Sequence, residues 1–319
     1  MMRFKNLWGH SFGPKPELPD PGKFQHLWSI SIYRGSTPLD LRPSPGATYP
    51  VLTRDCVSDA PALFVADPFM IVCEGMWYMF FEVMNGATKR GEIGVATSAD
   101  ALHWKYEQIV LREPFHLSYP FVFEWNRSHY LVPESHKASA VRLYKARQFP
   151  LEWHCVGNLL QGEPFADTSL FHYNDLWWLF SEVSPRRAHD TLRLYYSQDL
   201  TGPWTEHPRS PVMQNNSNLA RPAGRVLQVG PNIFRFAQVC SPEYGMRVKT
   251  VRITDLTPTA YVEEEIEANA ALGPSGLGWN AQGMHHVDAH ELSPGNWIAC
   301  VDGWRAAPMS EYMKPVRQG

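Results

Sequence analysis

The sequence repeats a hairpin pattern at intervals of about fifty residues. Residues 66–82 read ADPFMIVCEGMWYMFFE, and residues 166–182 read ADTSLFHYNDLWWLFSE. Each copy is an apolar segment, a turn and an aromatic-rich segment, which predicts a β-hairpin whose two ends lie side by side. In three copies the hairpin ends are fifteen residues apart, and these pairs are Asp67 with Glu82, Tyr119 with Glu134, and Asp167 with Glu182.

Two weaker copies follow at residues 221–238 and 286–302. Taking positions 67, 119, 167, 221 and 286 as equivalent starts, the steps between copies are 52, 48, 54 and 65 residues. A period near fifty with several short strands per unit is typical of a β-propeller. The sequence therefore predicts an all-β fold, a five-bladed β-propeller with four-stranded blades.

The outer strands of the blades are also visible in the sequence. Third strands are predicted at residues 92–98, 141–147, 192–198 and 246–253, and fourth strands at 103–110, 152–160, 204–207 and 260–266. The fifth unit has only two strands before Trp304, whereas residues 27–35 have the third-strand pattern and residues 49–53 could run along the edge. Because an open sheet edge is a liability, we expect the N-terminal segment to close the fifth blade.

We therefore expect one propeller domain over residues 1–319. Its N-terminal segment, residues 1–60, completes blade five, residues 61–304 carry the repeats, and residues 305–319 form a tail.

Composition excludes several classes of function. The net charge is −3 and the basic residues are dispersed, which argues against a nucleic-acid partner. No apolar run reaches the roughly 18 residues of a membrane span, and the first residues lack the apolar core of a secretory signal, so we expect a cytoplasmic protein. The five cysteines are scattered, which favours reduced thiols over a disulfide framework or a zinc site.

In a propeller the first strand of each blade begins at one mouth of the central channel, and the second strand returns there. Like charges gathered in such a confined place raise one another's pKa values, so their convergence indicates a binding or catalytic site. The residues predicted at this mouth are Asp67, Glu82, Tyr119, Glu134, Asp167, Glu182, Arg221, Gln238, His285, His286, Asp288 and Asp302.

Structural roles remain open for these residues. Asp67 precedes Pro68 and could cap a turn, and the two glutamates that end second strands could pair with nearby arginines. Asp167 heads an apolar strand, where a charge is costly unless it is used. The arginines considered as partners of these acids are Arg90, Arg186 and Arg187 for Glu82 and Glu182, and Arg221 and Arg225 for the mouth in general.

Residues 285–290 are dense in titratable groups. Alternation along a strand puts His286, Asp288 and His290 on one face, which could bind a divalent metal in the central channel.

Carboxylates beside aromatic rings suit carbohydrate chemistry. One carboxylic acid protonates the leaving oxygen, a carboxylate activates water or attacks, and an aromatic face stacks on the sugar. The predicted partner is therefore a carbohydrate or a sugar-containing small molecule. The candidate stacking residues are Trp77, Tyr119, Trp125, Trp177, Trp178, Trp279 and Trp304, of which Trp279 is predicted to bind substrate.

Several long elements carry a resemblance to a known family. VADPF, GEIGVATS, HLSYPFVF, VPES, VRLYKA, RPAGR, WNAQGMHHVD and WIACVDGW occur in this order. Over residues 60–304 the chain resembles the N-terminal propeller of plant glucosamine inositolphosphorylceramide transferases and their bacterial relatives. ADPF, YMFFE and ADTSLF also resemble the more distant propellers of glycoside hydrolase family 43.

The resemblance implies roles for particular residues. Family 43 enzymes use a base Asp, an Asp that modulates the pKa of the acid, and a Glu acid; Asp67 and Asp167 match the first two by blade position. The acid is expected at the start of blade four, where this chain has Arg221. Either Glu134 or Glu182 takes that role, or hydrolysis has been lost. In the plant proteins glycosyl transfer is expected in a separate C-terminal domain, so a transferase of the same pathway is a candidate partner.

Three hypotheses follow. The first is an enzyme acting on a glycoside or an activated sugar, with Asp67 as base or nucleophile, Asp167 as orienting carboxylate, and Glu134 or Glu182 as proton donor. The second is a non-catalytic glycan-binding or scaffolding propeller in a cell-surface glycan pathway. The third is metal or small-molecule chemistry at the same mouth. The residues predicted to bind substrate are Glu82, Tyr119, Arg221, Arg225, Trp279, His285, His286, Asp288 and Asp302.

Overall fold

The computed structural model describes residues 24–184 and 188–314. Within these residues the strands form five four-stranded antiparallel sheets arranged as a five-bladed β-propeller, which confirms the predicted fold class. The predicted partners Arg186 and Arg187, residues 1–23 of the closing segment and residues 315–319 of the tail lie outside the described residues.

The N-terminal segment closes blade five, as predicted. Strand β1 (Phe24–Gly35) pairs along its whole length with a strand at Asn296–Pro308. The fourth strand of this blade is β2 (Arg42–Pro43). The predicted edge segment contributes one bridge, in which the Ile30 amide donates to the Leu52 carbonyl at 2.9 Å. Closure therefore removes the open edge on the Asn296–Pro308 strand that the two-stranded fifth unit would leave.

The other blades follow in chain order, and their strands confirm the predicted third and fourth strands. Blade one has β3 (Ala62–Cys73), β4 (Met76–Asn85), β5 (Arg90–Ser98) and β6 (Lys105–Leu111). Blade two has β7 (Ser118–Trp125), β8 (Ser128–Glu134), β9 (Ala140–Gln148) and β10 (Glu152–Gln161). Blade three has β11 (Ala166–Tyr173), β12 (Leu176–Glu182), β13 (Leu192–Ser197) and β14 (Thr205–Glu206). Blade four has β15 (Leu227–Val229), β16 (Asn232–Val239), β17 (Arg247–Leu256) and β18 (Tyr261–Ile266), and blade five adds β19 (Val287–Ser293) and β20 (Asn296–Pro308).

Short helices connect some of these strands. They are the 3-10 turns Arg54–Cys56, His136–Ala138 and Gly278–Asn280, and helix α1 (Met309–Tyr312).

The innermost strands of blades one to three share a backbone kink at the repeat position. Asp67, Tyr119 and Asp167 have φ of 54°, 45° and 46°, and the pairing register shifts beside each of them. Such β-bulges re-aim a side chain and leave a backbone amide unpaired within the sheet. The repeat seen in the sequence therefore marks a repeated bulge at the channel mouth.

Blade four departs from the pattern. Its inner strand was expected to begin near residue 221, but β15 covers only Leu227–Val229. Pro222 lacks an amide proton, and Gly224, at φ 134°, forms a parallel bridge with Val287 of blade five. A Cβ on Gly224 would lie 1.7 Å from the Val287 carbonyl oxygen, so only glycine permits this contact between blades.

Aromatic side chains fill the spaces between blades, where the sheets pack face to face. The largest buried side chains include Trp178, Trp304, Tyr119, Tyr144 and Phe121. Most of the high aromatic content is therefore core.

Candidate functional site

At each of the three bulges the backbone amide donates a hydrogen bond to a carboxylate, and in each case that carboxylate comes from the preceding blade. The Asp67 amide donates to Asp302 Oδ2 at 3.0 Å, and the Tyr119 amide donates to Asp67 Oδ2 at 3.2 Å. The Asp167 amide donates to Glu134 Oε2 at 3.3 Å. The acids predicted at the mouth do converge, and three of them also join neighbouring blades.

Arg221 is the cationic centre of the mouth. Its Nε donates to Asp167 Oδ2 at 2.6 Å, its Nη2 to Glu134 Oε2 at 3.2 Å, and its Nη1 contacts His189 Nδ1 at 2.9 Å. The Gln238 side chain also donates to Asp167 Oδ2, at 2.6 Å. The residue at the start of blade four therefore ties the acids of blades two and three together.

A second network involves the first histidine of the pair. His285 Nδ1 lies 2.8 Å from Asp302, and its Nε2 faces Asp67 Oδ1 at 3.7 Å. The imidazole stacks on Trp28 of β1, with ring centroids 4.0 Å apart. His285 thus links Asp302 to Asp67 against a tryptophan that the N-terminal strand supplies.

His286 is fully buried, and neither ring nitrogen has a hydrogen-bond partner among the described residues. Its Nδ1 is 4.0 Å from Asp67 Oδ1, and its ring meets Phe69 and Tyr119 edge to face. Burial lowers the pKa of His286 to about 4. This histidine is therefore neutral at physiological pH.

Glu82 has a histidine partner that the sequence pattern did not reveal. His116 Nε2 lies 3.4 Å from Glu82 Oε1, and the Gly91 amide donates to His116 Nδ1 at 2.8 Å. Because Nδ1 accepts, a neutral His116 carries its proton on Nε2, towards Glu82. Glu134 is likewise 2.5 Å from His136 Nδ1.

Burial separates the pKa values of the acids. It raises the pKa of Asp67 to about 6, and it holds the pKa of Glu82 and of Asp167 well above the usual range, although Arg221 opposes it at Asp167. At Glu134 burial acts in the same direction, but the hydrogen bond from His136 and the charge of Arg221 outweigh it and lower the pKa. The mouth therefore contains ionised and protonated carboxylates together.

Asp302 and His285 shift in opposite directions. Burial would raise the pKa of Asp302, but the neighbouring His285 lowers it. Burial would lower the pKa of His285, but Asp302 raises it. Each group thus stabilises the charged form of the other.

An open cavity of about 440 Å³ lies at the mouth between blades two and three. Glu182 lines it, and Glu182 Oε1 is buried without a hydrogen-bond partner in the part of the chain that the structure describes. Burial raises the pKa of Glu182. The other lining residues include Glu134, His136, Lys137, Ser139, Ser184, His189 and Arg221.

Three predicted binding residues form an ion network in the channel. Arg225 Nε donates to Asp288 Oδ1 at 2.8 Å, and His290 Nε2 lies 2.9 Å from Asp288 Oδ2. The Met70 amide also donates to Asp288 Oδ2, at 2.7 Å. Since both Asp288 oxygens already have partners, this carboxylate has little capacity left for the metal set proposed for His286, Asp288 and His290.

The closest group of possible metal ligands that the described residues offer is Asp67, His285 and Asp302. One ligand atom from each lies within 4.8 Å of the others, and all three are buried. A nitrogen and two carboxylates suit a divalent cation. The mouth therefore offers a second candidate set besides the strand face predicted for a metal, and the Asp302 oxygens, like those of Asp288, already accept hydrogen bonds.

Two further predicted residues lie away from the acids. The Tyr119 hydroxyl is buried in the channel, where it accepts from the Gly224 amide at 2.7 Å and contacts Ser169 Oγ at 2.8 Å. Trp279 lines a separate cavity of about 310 Å³ with Arg54 and Arg305.

The sequence reasoning missed three residues at this mouth, His116, His189 and Tyr244, which all stand in connections between strands. Strand alternation gives no position for a loop side chain, so no spacing signal could have found them.

The fold and the mouth define a five-bladed β-propeller with a cluster of buried carboxylates at one end of its central channel. A thermostable family-43 glycoside hydrolase superimposes with a TM-score of 0.55 at 15% identity, covering 82% of this chain and 92% of that one. An exo-β-1,3-galactanase from Clostridium thermocellum gives a TM-score of 0.55 at 14% identity, covering 70% and 54%. At these identities the likeness concerns the fold alone.

The chain belongs to the family described as glucosamine inositolphosphorylceramide transferase 1, N-terminal, which matches residues 23–304. Glucosamine inositolphosphorylceramide transferase 1 of Oryza sativa subsp. japonica is 38% identical over 308 residues, 90% of this chain and 41% of that protein. Its namesake in Arabidopsis thaliana is 32% identical over 298 residues, 87% of this chain and 39% of that protein. The chain thus spans about two fifths of the length of these curated relatives. Within the described residues, no helix has the length and apolar character to span a membrane.

Proposed function

We propose that this propeller acts on a glycoside or an activated sugar bound at the acidic mouth. The observation that carries the proposal is the cavity between blades two and three, which is lined by two glutamates, Glu134 and Glu182, with opposite pKa shifts. Glycoside chemistry needs one protonated and one ionised carboxyl group, and environments that push two pKa values apart assign those roles.

Glu182 is the better candidate for the proton donor. Its buried Oε1 has no protein partner among the described residues, and burial favours its protonated form. Glu134 is held ionised by Arg221 and His136, which suits a carboxylate that stabilises positive charge on the sugar. In this proposal Asp67 is the base or nucleophile, and Arg221 holds Asp167 as the orienting carboxylate.

A non-catalytic glycan-binding propeller is the second candidate. It is favoured by the hydrogen bonds from backbone amides to Asp67, Glu134 and Asp302, since these carboxylates already have a role in joining blades. A binding module needs the cavity and its hydrogen-bonding groups but no proton donor.

One experiment separates the two candidates. Thermal shift is measured with L-arabinose, D-galactose, D-glucosamine and myo-inositol, because a ligand that binds only the folded state raises the Tm. Turnover is then measured with methyl glycosides of the sugars that bind, because an alkoxide leaving group, unlike 4-nitrophenolate, needs a proton from the general acid. For an enzyme we expect Glu182→Gln to keep the shift and to lose turnover by about 10²-fold or more.

Glu124 provides the matched control, because it is exposed at the opposite end of the same blade-two hairpin as Glu134. Glu124→Gln should change neither the shift nor the turnover. If a compound raises the Tm of the wild type but no glycoside is turned over, the glycan-binding module is supported over the enzyme. If none of the four compounds raises the Tm at tens of millimolar, the proposed sugar site is wrong.

A divalent cation at Asp67, His285 and Asp302 is a further candidate ligand, favoured by the unpartnered His286 beside them. Metal analysis of protein purified without an affinity tag, repeated on Asp302→Asn, tests it. Bound metal that is lost in the variant supports the site, and metal-free wild type refutes it. The transferase partner and the cytoplasmic location stay predictions.

A further inference from the structure

We propose that Tyr244 is the residue that stacks on the sugar at the mouth, presenting its ring and its hydroxyl to the ligand beside Arg221 and His285. The inference deepens the proposed function and rests on it.

The position of the ring singles it out. Tyr244 stands in the connection between β16 and β17, at the end of β16 that reaches the mouth. The Arg221 guanidinium carbon lies 5.2 Å from the ring centroid, and the His285 ring lies 5.3 Å away at 87°. The His189 ring is 5.5 Å away. One side chain therefore contacts groups that come from blades three, four and five.

Tyr244 adjoins the cavity between blades two and three. Arg221 and His189 both line that cavity, and both contact the Tyr244 ring. The Tyr244 side chain is itself partly exposed, so part of its surface is open to a molecule at the mouth. An aromatic ring in that place offers an apolar face to the C–H side of a sugar.

The hydroxyl of Tyr244 is available to a ligand. No described residue forms a hydrogen bond with it, in contrast to Tyr119, whose hydroxyl is fully engaged by Gly224 and Ser169. A tyrosine with an unpaired hydroxyl group and an apolar ring can contact both the hydroxyl groups and the ring of a sugar.

The loop that carries Tyr244 is held in place before any ligand binds. Trp304 Nε1 donates to the Gly245 carbonyl at 2.9 Å, and His26 Nε2 lies 3.2 Å from Glu243. Gly245 has φ of 73°, and a Cβ there would lie 2.6 Å from the Trp28 ring. Because the loop is already ordered, little conformational entropy is lost on binding.

None of the tryptophans predicted from the sequence as stacking residues presents an exposed ring at the mouth. Trp177, Trp178 and Trp304 are buried, and Trp279 lines the other cavity. Trp77 and Trp125 flank the turns of their hairpins, at the far end from the acids. Tyr244 therefore supplies the stacking surface at the mouth that those residues do not supply.

The test combines affinity with a direct signal from the ring. Full-length protein is labelled with 3-fluorotyrosine, and the Tyr244→Phe variant assigns the Tyr244 fluorine resonance by its disappearance. The four compounds of the thermal-shift panel are the probes. We expect the compound that raises the Tm to shift this resonance, and Tyr244→Ala to bind it about tenfold more weakly.

Tyr244→Phe should lose only a few-fold in affinity, because it keeps the ring and removes one hydrogen bond. Tyr49→Ala is the control, since Tyr49 is exposed on the segment along the edge of blade five. A compound that binds wild type and Tyr244→Ala equally, with the resonance unmoved, overturns the role of Tyr244 and leaves the proposed function intact. Absence of binding to the wild type overturns the proposed function itself, and this inference with it.

Discussion

Replacing Arg221 with methionine should destabilise the propeller strongly. The change keeps much of the side-chain volume and removes the charge that lies between Asp167 and Glu134. Those carboxylates are 2% and 5% exposed, so water cannot replace the lost partner. Removing one member of a buried ion pair costs about 3–5 kcal/mol of unfolding free energy. We expect a loss of that size in chemical denaturation at pH 8.

The loss should depend on pH in a defined direction. In the wild type the pKa of Glu134 is lowered, because His136 and Arg221 outweigh the effect of burial. A lowered pKa contributes stability above the unfolded value, and that contribution is lost as the pH falls through the folded value. Without Arg221 the effect of burial on Glu134 is less opposed, so in the variant Glu134 takes up a proton at a higher pH than in the wild type. The deficit against wild type should therefore be larger at pH 8, where the unpaired Glu134 is charged, than at pH 4.5.

An exposed arginine supplies the control. Arg252 pairs with Glu264 on the outer edge of blade four, and both side chains are more than 40% exposed. Arg252→Met should cost about 0–1 kcal/mol with little pH dependence. The double variant Arg221→Met, Glu134→Gln should recover part of the loss, because the carboxylate that Arg221 helps to keep ionised is then neutral. An Arg221→Met protein within 1 kcal/mol of wild type at pH 8 would refute this account of the mouth.

Three further predictions follow from the fold and the site. Gly224→Ala should lower the free energy of unfolding by roughly 3 kcal/mol or prevent folding, because the new Cβ would meet the Val287 carbonyl. Gly295→Ala is the control: Gly295 is in open space at φ 75°, so the same denaturation experiment should show a loss of only about 1–2 kcal/mol. A chain that starts at residue 61 lacks β1 and should not unfold cooperatively by calorimetry; a soluble truncation with a sharp transition would contradict closure by the N-terminal segment. Burial raises the pKa of Glu82 well above its usual range, so the protonated form that stabilises the fold is lost as the pH rises through the folded pKa. Glu82→Gln should therefore be more stable than wild type at pH 8 and nearly equal to it at pH 4. An equal Tm of the two proteins at pH 8 would count against the argument.

Most of the fold could be predicted because the relevant information is local. Alternation, turn residues and the spacing of Asp67 and Glu82 predict hairpins, and their recurrence predicts five blades. Closure by β1 followed from counting strands in the fifth unit. The inner strand of blade four was predicted too long, because Gly224 bridges Val287 of blade five through a backbone contact that no local pattern reports.

The candidate site could be predicted in outline only. The acids converge because propeller topology brings the hairpin ends to one mouth, and Asp67, Glu134, Asp167 and Asp302 do meet there. Trp279 and Asp288 were assigned to that mouth, but Trp279 lines another cavity and Asp288 is engaged in the channel.

The sequence by itself determined the repeat, the blade count and the end of the propeller at which the acids gather, since strand period and hairpin length depend on neighbouring residues. Only the tertiary structure decided which acid is ionised. That outcome depends on burial and on partners far away in the chain, such as Arg221 against Glu134, 87 residues apart. It also decided that loop residues such as His116, His189 and Tyr244 complete the mouth, because loop side chains take their positions from the blades packed around them.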